Sequence, residues 1–191
     1  MPSLLDRFVT VPDVRGRHET TIHAPAHLVM NVARNFEIES LWLVRTLFRL
    51  RGALLGAPAQ PSQRRGLVDQ MQSIGWQCLA QDPDRYFVAG AACQPWQANP
   101  VFSPIDPATF VSFAEPDRVK IAWTLEAIEV APNLTRFATE TRVAATDDQS
   151  RAKFRRYWRK FGAGIILIRL VLLPAVQKKA ERTWRSGAAE S

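Results

Sequence analysis

The chain has 191 residues, of which 47% are hydrophobic and 23% are charged, with 13 Pro and 9 Gly. This is ordinary globular composition, and it predicts one domain over residues 1–185, followed by a disordered tail over 186–191. No secretory signal is expected, because Asp6, Arg7 and Pro12 interrupt the first apolar stretch. No uninterrupted apolar run reaches the length of a membrane span, so we expect a soluble cytoplasmic protein.

The net charge of +7 is concentrated in one segment. Residues 151–185 contain eleven Lys and Arg side chains against the single acidic residue Glu181. The rest of the chain is therefore slightly acidic. The basicity belongs to one element near the carboxyl end.

The first part of the chain predicts one strand and several helices. Ser3 is a suitable cap for a short helix, and Pro25 suits the first turn of the helix that follows the strand. In chain order we expect a helix at 3–9, a strand at 17–23, helices at 25–36 and 38–50, a Gly- and Pro-rich loop at 52–65, and a short helix at 67–74.

The second part predicts an antiparallel sheet and a long helix. Strands are expected at 76–81, 86–94, 119–130 and 135–145, the last two forming a hairpin with a loop at 131–134. The four prolines of 95–107 predict a structured loop, and Asp106 can cap a brief helix that ends at Phe113. Thr146 and Gln149 match a capping box at the start of the long helix.

The long helix carries one apolar stripe at helical spacing. Its members are Phe154, Tyr157, Trp158, Phe161, Ile165, Ile168, Leu172 and Ala175. A stripe this broad must lie against a large apolar surface, and a curved sheet is the expected partner. The glycines at 162 and 164 and Pro174 predict kinks that could act as hinges at a cavity mouth.

The last strand alternates between two faces. Phe137, Thr139, Thr141 and Val143 share one face, and matching them to Ile121, Trp123, Leu125 and Ala127 of the preceding strand leaves Thr139 and Thr141 as polar points on an inner wall. Alternatively, these threonines are ordinary strand residues packed on the helix.

Glu140 and Arg142 occupy the other face of the same strand. We favour a solvent-exposed charge ladder that also includes Lys120 and Glu126. A register shift of one residue would instead turn Glu140 and Arg142 inward as a buried ion pair near a ligand.

Small side chains dominate the strand at 86–94. They either leave volume for a ligand or allow close packing, and Gly90 indicates a bulge or a close approach. If the turn is at 82–85, Cys78 lies opposite Ala89 and not Cys93, so no disulfide is expected.

Two segments carry a family resemblance. HETTIHAPAHLV (18–29) resembles the first strand and helix of the START-like superfamily, also called SRPBCC or helix-grip proteins, and TETRVAATDDQSRAKFRRYW (139–158) is similar to the last strand and terminal helix of its bacterial members. The likeness covers residues 17–181. It implies an α+β fold in which a curved antiparallel sheet wraps around the C-terminal helix, with two short helices after the first strand.

The resemblance also implies a cavity for an apolar or amphipathic small molecule. Lipid carriers, aromatic polyketide cyclases, plant hormone and defence proteins, and quinone-binding proteins share this fold. Rieske-type oxygenases do as well, but Cys78 and Cys93 lack the nearby histidines that the cluster of those enzymes needs.

We therefore expect binding or carriage of a small hydrophobic molecule, with no cofactor. The predicted wall consists of Trp76, Trp123, Phe137, Thr139, Thr141, Phe154, Tyr157, Trp158 and Phe161. The alternative is a cyclase- or lyase-type enzyme, with general acid–base candidates His18, Glu19, Tyr86, Glu140, Arg142 and Tyr157. A metal site is not expected, because Pro25 and a strand-to-helix corner separate His23 from His27.

The basic helix admits three interpretations. Its cations can form an ordinary solvated face, which we favour, or dock on an anionic membrane together with Trp158 and Trp184. Docking alone would make the chain a peripheral membrane or interaction protein. Nucleic-acid binding is disfavoured, because the aromatic side chains fall on the stripe that we expect to be buried.

Overall fold

A computed structural model describes residues 3–56 and 65–188. Five antiparallel strands form one sheet in the order β1-β5-β4-β3-β2. The strands are β1 (Val14–Ile22), β2 (Gln77–Asp82), β3 (Tyr86–Cys93), β4 (Val119–Ala131) and β5 (Leu134–Ala145), and the helices are α1 (Ala26–Arg34), α2 (Trp42–Leu55), α3 (Leu67–Ser73) and α4 (Asp148–Ala188). This is the expected α+β helix-grip arrangement, with α1 and α2 following the first strand.

Helix α4 packs against β1, β5 and α1 across one face of the sheet. It runs without interruption through Gly162, Gly164 and Pro174, so the predicted breaks do not end it. It also includes 186–188 of the predicted tail, while 189–191 lie outside the described residues. One 18-residue window of α4 is long and apolar enough to cross a membrane by composition, a test that a helix covering a sheet also passes.

The β4–β5 hairpin has the register that the apolar pattern predicts. Trp123 pairs with Thr141, and Ala127 pairs with Phe137. A bulge at Val130 leaves Ala131 opposite Leu134 across a two-residue turn in which Asn133 adopts a left-handed conformation with φ of 57°. The bulge absorbs one residue, so the tight turn and the apolar register coexist.

The start of α4 differs from the prediction by one residue. Asp147, and not Thr146, forms the capping box, because its Oδ1 accepts from the backbone N–H of Ser150 at 2.6 Å while Ser150 Oγ accepts from the N–H of Asp147 at 3.2 Å. The Thr146 hydroxyl instead donates to the carbonyl of Arg118 at 2.9 Å. A shorter side chain at the third helical position thus closes the box in place of Gln149.

Three other segments depart in detail from expectation. The segment after Asp106 forms turns and no helix; Asp106 Oδ1 accepts from the N–H of Ala108 at 2.8 Å, which stabilises a turn. A short 3-10 helix (Ile38–Ser40) precedes α2, which extends past its predicted end to Leu55. The predicted N-terminal helix is a 3-10 helix (Leu4–Arg7) with a capping box formed by Ser3 and Asp6.

The sheet separates two apolar cores. The inner core lies between the sheet and α1, α3 and α4 and includes Phe87, Leu125, Phe137 and Leu172. The outer core lies on the opposite face and includes Leu5, Val88, Phe110 and Ala122, contributed by the N-terminal segment, the sheet and the turns near residue 110. Both faces of the sheet are therefore covered.

Candidate functional site

A cavity of about 560 Å³ lies between the inner face of the sheet and α4. Its walls come from α2, α3, α4, the sheet and the loop around Pro95–Phe102, and most of them are apolar. Its volume falls within the range of small-molecule sites, roughly 300–1,000 Å³. The cavity therefore has the size and the apolar lining that are typical of a small-molecule site.

Eight of the nine predicted wall residues line this cavity. They are Trp76, Trp123, Thr139, Thr141, Phe154, Tyr157, Trp158 and Phe161. Phe137 does not, because it is fully buried among the side chains of the inner core. The helical stripe thus supplies one wall, and the strands supply the other.

The two threonines of β5 differ in their hydrogen bonding. Thr139 Oγ1 accepts from Trp123 Nε1 at 2.9 Å and donates to the carbonyl of Thr124 at 2.8 Å. Its hydroxyl therefore orients the indole of Trp123 and is engaged within the protein. Thr141 lies in the cavity wall opposite Gly16 of β1.

The cavity reaches the surface beside α2. Leu50 and Leu54 line it and are also 55% and 66% exposed. On the neighbouring part of α4, Ile166, Leu167 and Leu170 are exposed as well. The cavity therefore reaches the surface at the exposed leucines of α2.

Arg169 is a cavity residue that the sequence analysis did not select. Its side chain points to the cavity side of α4, is only 9% exposed, and lies against β1, where a Cβ added to Gly16 would be 2.8 Å from its Nη1. Burial lowers the pKa of Arg169, and no carboxylate among the described residues offsets that effect. The signal was present in the sequence: Arg169 follows Ile165 by four residues and precedes Leu172 by three, so it lies on the apolar stripe.

His18 occupies the same face of β1, next to Gly16 in the alternation of that strand. Its Nδ1 is buried and has no hydrogen-bond partner among the described residues. Burial, and secondly the charge of Arg169, lower the pKa of His18. The imidazole is therefore held in its neutral form.

The other acid–base candidates are distributed over both faces. Tyr157 lines the cavity, whereas Glu19 and Tyr86 line a separate cleft of about 370 Å³ on the outer side of the sheet. Glu140 and Arg142 also belong to the outer side, since their neighbours Thr139 and Thr141 line the cavity.

Glu140 and Arg142 face away from the cavity, as expected, but the predicted solvent exposure is wrong. Glu140 is 0% and Arg142 is 2% exposed, because the N-terminal segment covers them. Arg142 Nε donates to Glu140 Oε1 at 2.8 Å, its Nη1 donates to the carbonyl of Val9 at 2.8 Å, and its Nη2 donates to Asp6 Oδ1 at 2.6 Å. The sequence pattern cannot reveal a covering segment more than 130 residues away.

Further donors complete this outer polar cluster. Ser3 Oγ and Arg17 Nη1 donate to Glu140 Oε2 at 2.8 and 3.2 Å, and Arg15 pairs with Glu140 Oε1 at 2.9 Å. Burial opposes the ionisation of Glu140, but hydrogen bonds from Arg142, Ser3 and Arg17 outweigh it and leave the pKa below its ordinary value. The cluster is structural, and its charges are matched.

The small residues of β3 serve close packing at one position. Gly90 faces the outer core, where an added Cβ would lie 2.4 Å from the ring of Phe110 and 2.6 Å from Leu79. On the inner face, Ala89 and Ala91 are buried in the inner core. Cys78 pairs with Ala89 in the sheet, as predicted, and Cys78 and Cys93 form no disulfide with each other.

Over the described ranges 3–56 and 65–188, no group of three or more His, Cys, Asp or Glu side chains is arranged to hold a metal ion.

No family model matches the sequence, and no curated protein is similar to it at a significant level. Among solved structures, the chain is similar to Zhui aromatase/cyclase from Streptomyces sp. R1128, with 13% identity, a TM-score of 0.31, and coverage of 88% of this chain and 94% of that one. It is also similar to a protein from Thermus thermophilus, with 9% identity, a TM-score of 0.33 and coverage of 89% and 99%. A third similar structure is Ara h 8.0201, with 11% identity, a TM-score of 0.31 and coverage of 87% and 97%.

These likenesses are too distant to support any conclusion about ligand or reaction. The fold class follows from the molecule's own strands and terminal helix: it is an α+β fold of helix-grip architecture.

Proposed function

We propose that the protein binds a small hydrophobic or amphipathic molecule in the cavity between the sheet and α4. The observation that supports this most is the cavity itself: about 560 Å³ of space, lined mainly by apolar side chains and connected to the surface at Leu50 and Leu54. A protein interior ordinarily packs without voids of this size. Binding a ligand would restore the missing contacts.

Carriage fits the arrangement better than catalysis does. Of the six acid–base candidates, Glu19, Tyr86, Glu140 and Arg142 belong to the outer side of the sheet. Arg169 is a charged group in the cavity, but a guanidinium keeps its proton at physiological pH and is a poor general acid or base. The cavity therefore offers groups that bind and few that transfer protons.

A filled cavity tests this proposal. Thr141→Trp places a large ring in the space opposite Gly16, so we expect it to weaken binding of the neutral apolar dye Nile red by about tenfold or more. Val111→Trp is the matched control, because Val111 is exposed on the outer side of the molecule. Fluorescence titration measures both affinities, and native mass spectrometry of the gently purified wild type checks for a co-purifying small molecule.

Equal dye binding by a folded Thr141→Trp variant and by wild type would refute a ligand site at this position. Thermal unfolding of both variants establishes that they are folded.

We further propose that the cavity mouth docks on an anionic membrane. Three features support docking: the exposed Ile166, Leu167 and Leu170 on α4, the exposed Leu50 and Leu54 on α2, and the exposed cations Arg159 and Lys160 beside them. Apolar side chains flanked by cations are suited to the interface of an anionic bilayer. A ligand could then pass between bilayer and cavity without crossing water.

Vesicle co-sedimentation tests the docking. We expect the wild type to bind vesicles that contain phosphatidylglycerol, to release them at high salt, and to bind pure phosphatidylcholine weakly. The double variant Leu167→Glu with Leu170→Glu should lose vesicle binding. The control is the double variant Val11→Glu with Val111→Glu, which likewise replaces two exposed apolar side chains with acids and should keep most of the binding. Binding that is insensitive to salt or to the α4 variant would contradict the proposal.

A further inference from the structure

The charge on Arg169 is unmatched within the cavity. No Asp or Glu among the described residues lines the cavity, and the other charged lining residue is Lys160, which is also a cation. No ion pair or hydrogen bond of the Arg169 side chain occurs within the described residues. The cavity is therefore positive as well as apolar.

An unmatched buried cation is costly, because it loses its hydration without gaining an anion in exchange. A guanidinium does not escape the cost by losing its proton, as a lysine or histidine would. The neighbouring His18 does escape it, because the lowered pKa keeps the imidazole neutral. Since no acid among the side chains that the structure describes balances Arg169, an anion that enters from outside would do so.

The position of Arg169 suits such an anion. The guanidinium lies over Gly16, where the missing side chain leaves it room, and Thr141 stands opposite Gly16 on β5 with its hydroxyl on the same face. Around them the walls are apolar, with Trp158 and Ile168 among the lining residues. A planar guanidinium binds the two oxygens of a carboxylate or phosphate through parallel hydrogen bonds.

We propose that Arg169 binds the oxyanion head of an amphipathic ligand whose apolar body fills the rest of the cavity. The ligand class is thus a long-chain or polycyclic carboxylate or phosphate monoester. This inference rests on the proposed ligand-binding function and specifies which molecules the cavity accepts.

Four probes of equal chain length test the inference: dodecanoate, dodecyl phosphate, dodecanol and dodecylammonium, each titrated by displacement of Nile red. We expect the wild type to bind the two anions at least tenfold more tightly than the alcohol, and the alcohol more tightly than the cation. The stronger of the two anions distinguishes a carboxylate from a phosphate ligand. Arg169→Gln should weaken both anions by about tenfold to a hundredfold while leaving dodecanol nearly unchanged.

Two further variants serve as controls. Arg169→Lys retains the charge but not the planar fork, so it should recover part of the anion affinity. Arg182→Gln removes the same charge from an exposed position of α4 outside the cavity and should change anion affinity less than threefold.

The outcomes separate the two proposals. If the wild type binds dodecanol and dodecanoate equally, or if Arg169→Gln reduces both in the same proportion, the assignment of Arg169 is refuted and the cavity proposal stands. If the wild type binds neither the dye nor any probe, the cavity proposal itself fails, and the assignment of Arg169 fails with it.

Discussion

The two faces of the sheet each bury an arginine, in opposite circumstances. On the outer face, Arg142 contacts Glu140, Asp6 and the carbonyl of Val9. Burial acts to lower the pKa of Arg142, but the two carboxylates outweigh it and raise that pKa. On the inner face, Arg169 has no anionic partner among the described residues, and burial alone lowers its pKa. A charge with complete pairing belongs to the structure of the protein, whereas a charge without pairing is available to a ligand.

The comparison also distinguishes the two cores. The outer core is fully packed around its polar cluster. The N-terminal segment that covers the cluster supplies two of its hydrogen-bond partners, Ser3 and Asp6. The inner core is not completely packed, and Arg169 lines the cavity that remains. Both faces bury charge, but only one leaves volume beside it.

Breaking the outer pair should have the largest effect. Arg142→Leu leaves Glu140 buried with fewer donors, so we expect a loss of about 3–5 kcal/mol in the free energy of unfolding. Urea unfolding monitored by tryptophan fluorescence measures it. A matched control is Arg118→Leu, which removes a cation whose partner Glu115 is exposed, and it should cost less than about 1 kcal/mol. A loss of similar size in both variants would show that the outer cluster is no more important than a surface pair.

Removing the Thr139 hydroxyl should have an intermediate effect. Thr139→Val leaves Trp123 Nε1 without its acceptor, so we expect a loss of about 1–3 kcal/mol and a changed fluorescence spectrum of Trp123. Thr141→Val removes a hydroxyl that has no such task, and it should change stability by less than about 1 kcal/mol. If the two variants behaved alike, Thr139 would not be the residue that orients Trp123.

Replacing Arg169 should increase the free energy of unfolding, whereas replacing Arg142 should decrease it. Without ligand, Arg169→Met should raise the free energy of unfolding by about 1 kcal/mol, because an apolar side chain replaces an unpaired buried cation. The measurement is urea unfolding of the delipidated protein. Destabilisation by several kcal/mol would mean that Arg169 is a paired, structural residue like Arg142.

The smallest predicted effect is a pH dependence from His18. Its pKa in the folded protein is below the ordinary value of 6.5, so the unfolded chain binds the proton more readily. The full stability is therefore present above about pH 6.5 and is lost as the pH falls from that value through the lower pKa of the folded state. His18→Gln should flatten the stability profile between about pH 7.5 and 5.5 by less than about 1 kcal/mol. His27→Gln, which alters an exposed histidine of α1, is the control.

The sequence predicted the inner face well because periodicity carries that information. The stripe of α4 and the alternation of β5 identified six of the eight predicted wall residues that line the cavity, since each side chain is placed by its own helix or strand. Arg169 was missed because its charge suggested solvent, although its spacing placed it on the stripe.

The outer face was harder to predict because its cover comes from distant parts of the chain. Alternation correctly turned Glu140 away from the cavity but could not show that Ser3 and Leu5 lie over it. The bulge at Val130 was also missed, and it is what allows the predicted register to coexist with a two-residue turn. Burial by a remote segment is a tertiary property that no local pattern contains.

The cover over Glu140 and Arg142 has a consequence for biosynthesis. Ser3 and Asp6 leave the ribosome before their partners on β5, which follow more than 130 residues later. Residues 3–9 therefore join the sheet only after the β4–β5 hairpin has emerged. A nascent chain of this protein can close its outer core only once β5 has been made, so this core depends on contacts between segments that are synthesised far apart in time.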